Sequence, residues 1–474
     1  MRHKVVSGAV WATVDKFGSM LIQFAVNLVL ARLLIPKDFG IIGMLTIFIA
    51  VSQTMVDAGF GSALIQKKNP TQIDFSTIFY WNVGLSIFLY IILYISAPFV
   101  ARYFDMPLLK DVLRLISLSI IINGMVAIQR TKLQKELSFR ILAIVNLSSY
   151  IFGAICAVTF AKYGLGVWSL VGMQLIYGCC NIILLLLITR WIPSAVFSYS
   201  SMKDLFGFGG FIMAANILQT ICLNIQGIII GKRFSATQMG YYSQAYKLDQ
   251  VTSFSLPQVI VQVMYPVYSS LQDDLDRLNN IVLMNIRVIS FVIFPILSIL
   301  IIIAYPLIEF LYGAKWLPSV PYFRILCVGG YFVCLQNLNY YAVAAVGKSK
   351  ELFRWSFYKW GFLLTSLLIG MQFGMYGILW GMVISSANIF IVNAFLAQKH
   401  THLSVNNQFR AILPIFIIAL VAILASFYFE YWIKNPYVSV MCFFTIYLSA
   451  SYIFKIKAIN DFKILFSKIL QHEV

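Results

Sequence analysis

Two ionisable residues stand side by side in the first apolar segment of this 474-residue chain, Asp15 and Lys16. A charge at the centre of a bilayer helix costs roughly 2.5–3.5 kcal/mol on insertion scales, so such residues normally face a wet cavity. Neighbouring helix positions lie about 100° apart and do not face each other, so the two are not a simple internal pair. From Lys16, helical spacing leads to Gln23 and Asn27, a polar stripe down one face. A second stripe, Asn216, Gln219, Thr220 and Gln226, runs down the seventh apolar segment. The two are expected to line one cleft. The plainer reading is that amides glue membrane helices together and that Asp15 and Lys16 snorkel to the headgroups.

Other polar groups interrupt the apolar runs. Asp57, in Asp57-Ala58-Gly59-Phe60-Gly61, is either an ion-coupling carboxylate or a partner for backbone groups at a glycine break. Gln258 and Gln262 lie one turn apart beside Pro257 and Pro266, with Lys247 and Asp249 just before them at the expected mouth of the cleft. Gln336, Asn337 and Asn339 make the tenth segment unusually polar. The seven cysteines all sit in apolar segments as packing residues, and the four histidines form no HExxH and no Cys/His cluster. No metal and no cofactor is expected. GxxxxGK[ST] is absent, so the chain should not hydrolyse ATP and is expected not to be an enzyme.

These residues need positioning elements, and composition names their class. Hydrophobic residues make up 61% of the chain and charged ones 11%, too few charges to cover a water-soluble surface of this size. The fold class is therefore all-α and polytopic, with lipid as solvent. A ruler of about 20 residues per span gives fourteen spans: 8–34, 40–65, 75–100, 111–129, 141–161, 167–189, 207–231, 251–270, 286–312, 322–346, 357–372, 376–398, 410–432 and 437–454. The links between them, including Arg190–Phe206 and Lys232–Gln250, are too short to fold as domains. Lys and Arg outnumber Asp and Glu 35 to 17 but are scattered singly, which argues against nucleic acid. The N-terminus and every second link hold 22 of those 35, Lys359 among them, which places both termini in the cytoplasm.

The chain repeats itself. Ala31–Gly40 matches Gly231–Gly240, each with a basic residue eight positions before the closing glycine. Lys135-Glu136-Leu137-Ser138-Phe139-Arg140 matches Lys350-Glu351-Leu352-Phe353-Arg354, and Gly164 to Trp168 matches Gly374 to Trp380. Two six-helix bundles in parallel repeat follow, an N-lobe over 1–206 and a C-lobe over 207–400. Two extra helices and a tail occupy 401–474. Such repeats mark transporters whose halves rock about a site between them.

Taken together, Leu30–Gly40, Asp57–Gln66, Gln134–Arg140, Gly164–Val171, Phe234–Leu248, Pro266–Leu278 and Gly313–Leu326 resemble a known family across about the first 400 residues. It is the polysaccharide transporter branch of the multidrug/oligosaccharidyl-lipid/polysaccharide exporter superfamily, and the closest likeness is to flippases of the colanic-acid-exporter type. The resemblance implies translocation of a polyprenyl-diphosphate-linked oligosaccharide across a bacterial inner membrane for surface polysaccharide assembly. Cavity cations would bind the diphosphate, which points to Lys16 and Lys247, while Gln23, Asn27, Asn216, Gln219 and Gln258 would meet the sugars. Asp15 and Asp57 are the candidates for ion coupling. The implied partners are the lipid-linked oligosaccharide, membrane lipids and the polymerase machinery, with the chain working as a monomer. An ion-coupled exporter of amphipathic cations shares this fold and remains the alternative. A membrane polymerase or ligase would need a sizeable outer loop, which the sequence lacks.

Overall fold

A computed structural model describes residues 2–57, 60–433 and 435–462. The Ala58–Gly59 junction and the tail lysines Lys463 and Lys468, both part of the sequence reading, lie outside the described residues. The described chain is helical, with no strand, and its helices group into two compact units, Met1–Gly240 and Tyr241–Val474.

The first unit holds α1 (Arg2–Leu33), α2 (Pro36–Asp57), α3 (Phe60–Gln66), α4 (Gln72–Tyr103), α5 (Leu108–Ile116), α6 (Leu118–Lys135), α7 (Phe139–Lys162), α8 (Trp168–Thr189) and α9 (Tyr199–Arg233). Helix α10 (Ala236–Gln250) begins there and runs into the second unit. It passes through a wide turn at Val251–Ser255, where Leu256 N–H reaches back to the Val251 carbonyl, into α11 (Leu256–Ser270). The rest comprises α12 (Leu275–Ile302), α13 (Ala304–Tyr312), α14 (Val320–Ala345), α15 (Ser349–Gly370), α16 (Gly374–Thr401), α17 (Val405–Ile433) and α18 (Pro436–Ile453).

Eleven stretches among the described residues are long and apolar enough to cross a membrane. One of them, Ser349–Thr401, joins α15 and α16, while α9 and the α10–α11 rod stand outside the set. Large apolar side chains such as Phe99, Leu187, Phe310 and Met441 leave most of their surface uncovered. In water that would be a liability, whereas lipid tails are as apolar as they are.

In the first unit α7 packs between α1 and α8, and α6 meets α2, α3, α4 and α8. The entry to α4 shows how sequence sets a boundary. Thr71 Oγ1 accepts from Asp74 N–H at 3.3 Å and Thr71 N–H donates to Asp74 Oδ2 at 2.8 Å, a reciprocal capping box. The same carboxylate, buried at 1% exposure, takes an ion pair from Lys67 at 2.8 Å. Lys135 closes the neighbouring helix α3 by donating to the carbonyls of Leu64, Ile65 and Lys67, where the helix dipole is negative. In the second unit α14 is the hub, packed on α11, α12 and α16. Buried hydrogen bonds tie that core together, Asn285 to Tyr268 at 2.7 Å and Asn339 to Gln408 at 2.8 Å.

Several expected boundaries shift. The stretch expected as the link Lys232–Gln250 is largely α10, and the Arg190–Phe206 link shortens because α9 starts at Tyr199. The fourth span breaks at Ser117 and the ninth at Ile303. The eleventh starts at Ser349, which moves Lys359 from a link into the middle of α15.

Candidate functional site

Helix α1 presents three faces. At 100° per residue, Val10, Val14, Phe17 and Leu21 fall within about 60° of one another, and all four are exposed, Leu21 at 68%. A second face packs on α7: Gly8 and Gly18 sit against Phe139 and Leu147, and Asp15 accepts from Asn146 Nδ2 at 3.0 and 3.2 Å. Lys16, Gln23 and Asn27 occupy a third sector, centred about 130° from the apolar stripe. Lys16 and Gln23 are exposed there and Asn27 is half-buried. Lys16 and Gln23 are thus set apart from the exposed apolar stripe of Val10, Val14, Phe17 and Leu21. That separation suits a helix with lipid on one side and a wet passage on another.

Asp15 therefore parts company with Lys16. Its carboxylate anchors a network across α1, α6, α7 and α8. Asn146 Oδ1 accepts from Arg130 Nη2 and from Asn181 Nδ2, each at 3.1 Å, and Arg130 also donates to the Tyr177 hydroxyl at 2.9 Å. Ser19 donates to Asp15 at 3.3 Å, and the Tyr150 and Tyr177 rings stack at 4.2 Å. An amide that joins a carboxylate to a guanidinium holds both charges in low dielectric without a direct ion pair. Asp57, the last residue of α2, is exposed and lines a cavity of about 280 Å³ that Arg130 also lines.

The stripe expected on α9 splits. Asn216 and Gln219 are exposed, but the Thr220 hydroxyl meets Thr54 of α2 at 3.0 Å and Gln226 is buried, donating to the Leu223 carbonyl. In the second unit Lys247 is exposed on α10, while Asp249, at 3% exposure, accepts from Ser253 Oγ. Gln258 accepts from Asn337 Nδ2 at 2.8 Å and donates to the Tyr341 hydroxyl at 3.5 Å. Asn339, read with Asn337 as cavity wall or bundle contact, is fully buried against Gln408.

Four residues escaped the sequence reading: Arg130 and Lys359, assigned to links, and Asn146 and Asn181, not singled out. The internal repeat could have found one of them, Asn181, while Asn146 and Lys359 fall one residue out of register. Asn181 and Asn393 each stand thirteen residues after the matched Trp168 and Trp380. Asn146 follows Arg140 by six and Lys359 follows Arg354 by five. The paired positions are bonded in both units, Asn181 to Asn146 and Lys359 Nζ to Asn393 Oδ1, each at 3.1 Å.

Comparison with known proteins agrees with this architecture. The chain is 26% identical over 423 residues to the teichuronic acid biosynthesis protein TuaB of Bacillus subtilis, covering 88% of this chain and 86% of that protein. It is 25% identical over 404 residues to the lipopolysaccharide biosynthesis protein WzxC of Escherichia coli K12, covering 84% and 80%. Among solved structures it shares the fold of the lipid II flippase MurJ in an inward closed conformation, with a TM-score of 0.72 at 14% identity over 94% of this chain and 98% of that one. An inward-facing multidrug resistance MATE family transporter aligns with a TM-score of 0.63 at 15% identity, over 83% and 98%. A family model described as "Polysaccharide biosynthesis protein" matches residues 29–321. The chain belongs to the polysaccharide biosynthesis protein family.

Proposed function

We propose that this chain is a flippase that carries a polyprenyl-diphosphate-linked oligosaccharide from the cytoplasmic to the periplasmic leaflet of a bacterial inner membrane, for surface polysaccharide assembly. The observation that carries the reading is the Lys16–Gln23–Asn27 sector of α1, with Lys16 and Gln23 exposed and Asn27 half-buried, set apart from the stripe of Val10, Val14, Phe17 and Leu21. An ammonium balances phosphate charge by charge-assisted hydrogen bonds, and amides match hydroxyls as both donors and acceptors. Two relatives named for teichuronic acid and lipopolysaccharide biosynthesis support the same substrate class, as does the fold shared with a lipid II flippase.

On this reading the prenyl tail stays in lipid while the headgroup crosses through a polar passage by alternating access. The chain is organised as an N-lobe (1–206), a C-lobe (207–400) and two further helices, and both termini lie in the cytoplasm. Lys247, Asn216, Gln219 and Gln258 complete the headgroup site. With the cell interior negative, export of a diphosphate gains about 2.3 kcal/mol per charge per 100 mV, enough to bias transport without ATP. Asp15 and Asp57 remain the carboxylates for ion coupling, and Asp57 is the better placed: it is exposed beside a cavity, whereas Asp15 is engaged by Asn146 and Ser19.

Lys16→Ala tests this site. A charge-assisted hydrogen bond contributes about 1.5–3 kcal/mol, so flipping of lipid-linked oligosaccharide in proteoliposomes should slow by roughly tenfold to a hundredfold, with membrane insertion intact. A wild-type rate would remove Lys16 from the site.

A further inference from the structure

The first unit contains a cavity that the α1 sector does not use. It lies among α2, α3, α4 and α6, has a volume of about 280 Å³, and is lined by Gln53, Asp57, Asn82, Asn123, Arg130 and Gln134 among others. Nearly every chemically distinctive group in that lining is a hydrogen-bonding one. Asn82 is the most informative. It is only 2% exposed, and among the described residues no hydrogen-bond partner reaches its Oδ1. Arg130 Nε is likewise buried and unpartnered among the described residues, although the same guanidinium holds Asn146 and Tyr177 through Nη2. Buried polar atoms left open next to a void are a mark of a place for something that hydrogen-bonds.

The lining also says what that something is. One carboxylate and one guanidinium cancel, so the cavity has no net charge with which to hold a diphosphate. Among the described residues no three His, Cys, Asp or Glu side chains cluster as metal ligands. An apolar drug would leave the amides unsatisfied. Amides present a donor and an acceptor side by side, and a carboxylate accepts twice, which fits a ring carrying adjacent hydroxyls. The volume sits just below the roughly 300–1,000 Å³ of drug-sized pockets, which suits a single ring better than a chain of them. The place is apt as well. Gln134 adjoins Lys135, which donates to the carbonyls of Leu64, Ile65 and Lys67 at the end of α3.

We infer that this cavity is a sugar subsite that seats one hydroxylated ring of the cargo's glycan in the first unit, apart from the lysine that meets the diphosphate. The inference rests on the flippase reading above. It assigns Asn82, Asn123 and Gln134 to glycan selection, with Arg130 held in place by the Asp15–Asn146 network.

Binding of two purified lipids tests it: the lipid-linked oligosaccharide extracted from the host membrane, and sugar-free undecaprenyl diphosphate. Asn82→Leu removes a buried amide whose Oδ1 has no partner among the described residues, so the fold alone loses little. Asn123→Leu serves as an independent second variant. Each should weaken binding of the glycan-bearing lipid by about tenfold, one lost hydrogen bond to the ligand, and leave the sugar-free lipid unaffected. Equal loss for both lipids, or none for either, would overturn the subsite while leaving the flippase reading intact. If the wild-type protein bound neither lipid, the flippase reading would fall and the subsite with it.

Discussion

Gly240→Val, and equally Gly40→Val, is expected to abolish transport and to lower thermal stability markedly. The first turns of α2 and α10 cross at these two positions. A Cβ added at Gly40 would stand 1.7 Å from the Ala236 carbonyl oxygen, and one added at Gly240 would stand 1.9 Å from the Pro36 carbonyl oxygen. The obstructing atoms are backbone, so no rotamer change relieves the clash and the helices must part. Overpacking a core with side chains typically costs about 1–3 kcal/mol, and here the backbone itself must move. The two glycines are also the closing residues of the matched segments Ala31–Gly40 and Gly231–Gly240, so the repeat folds back on itself through its own equivalent positions. A valine variant with the wild-type unfolding temperature and rate would show that the helices do not need this approach. Gly227, whose added Cβ would lie 2.8 Å from the Gly43 carbonyl oxygen, should respond in the same direction and less severely.

Lys359→Met is expected to raise stability and lower transport together. Lys359 is 7% exposed in the middle of a membrane-spanning helix. Its Nζ donates to Asn393 Oδ1 at 3.1 Å and lies 5.6 Å from the Tyr340 ring centre. Asn393 in turn donates to the Gln336 carbonyl at 3.0 Å. Among the described residues, no carboxylate lies within ion-pair distance of it. An ammonium buried without a carboxylate is costly to desolvate, and methionine approximates the lysine stem. A residue that costly inside a span is retained for function by default, so flipping should fall although the fold gains. Thermal unfolding and flux on the same preparation decide the matter. A less stable variant with normal flux would make Lys359 a structural residue.

Much of the architecture was legible because lipid is a simple solvent. Twenty-residue apolar runs mark most of the helices, and helical spacing puts Lys16, Gln23 and Asn27 on one sector of α1, where the first two are exposed and the third half-buried. What the ruler missed lies where helices are polar for reasons other than ending. Ala236–Gln250 carries Gln238, Gln244, Lys247, Asp249 and Gln250 and so reads as a link, yet its helix continues into α11. Hydropathy sees what faces lipid; it cannot see a polar helix face covered by protein or water. Arg130 and Lys359 fall under the same rule, since charge near a span end reads as charge in a link. The Asp15–Asn146–Arg130 network required three helices to be placed side by side, and no spacing within one helix encodes that. Only the repeat, which sets Asn181 against Asn393, carried a trace of it.

Reconstitution measures whether the chain moves a glycan-bearing prenyl diphosphate between leaflets. Purified protein in vesicles with the lipid-linked oligosaccharide confined to one leaflet, and an inside-negative potential, should deliver the glycan to the opposite leaflet, where a soluble lectin can reach it. Delivery should depend on the chain and slow with Lys16→Ala. Correctly inserted protein that leaves the lipid-linked glycan in place while exporting an amphipathic cation against a proton or sodium gradient would contradict the account.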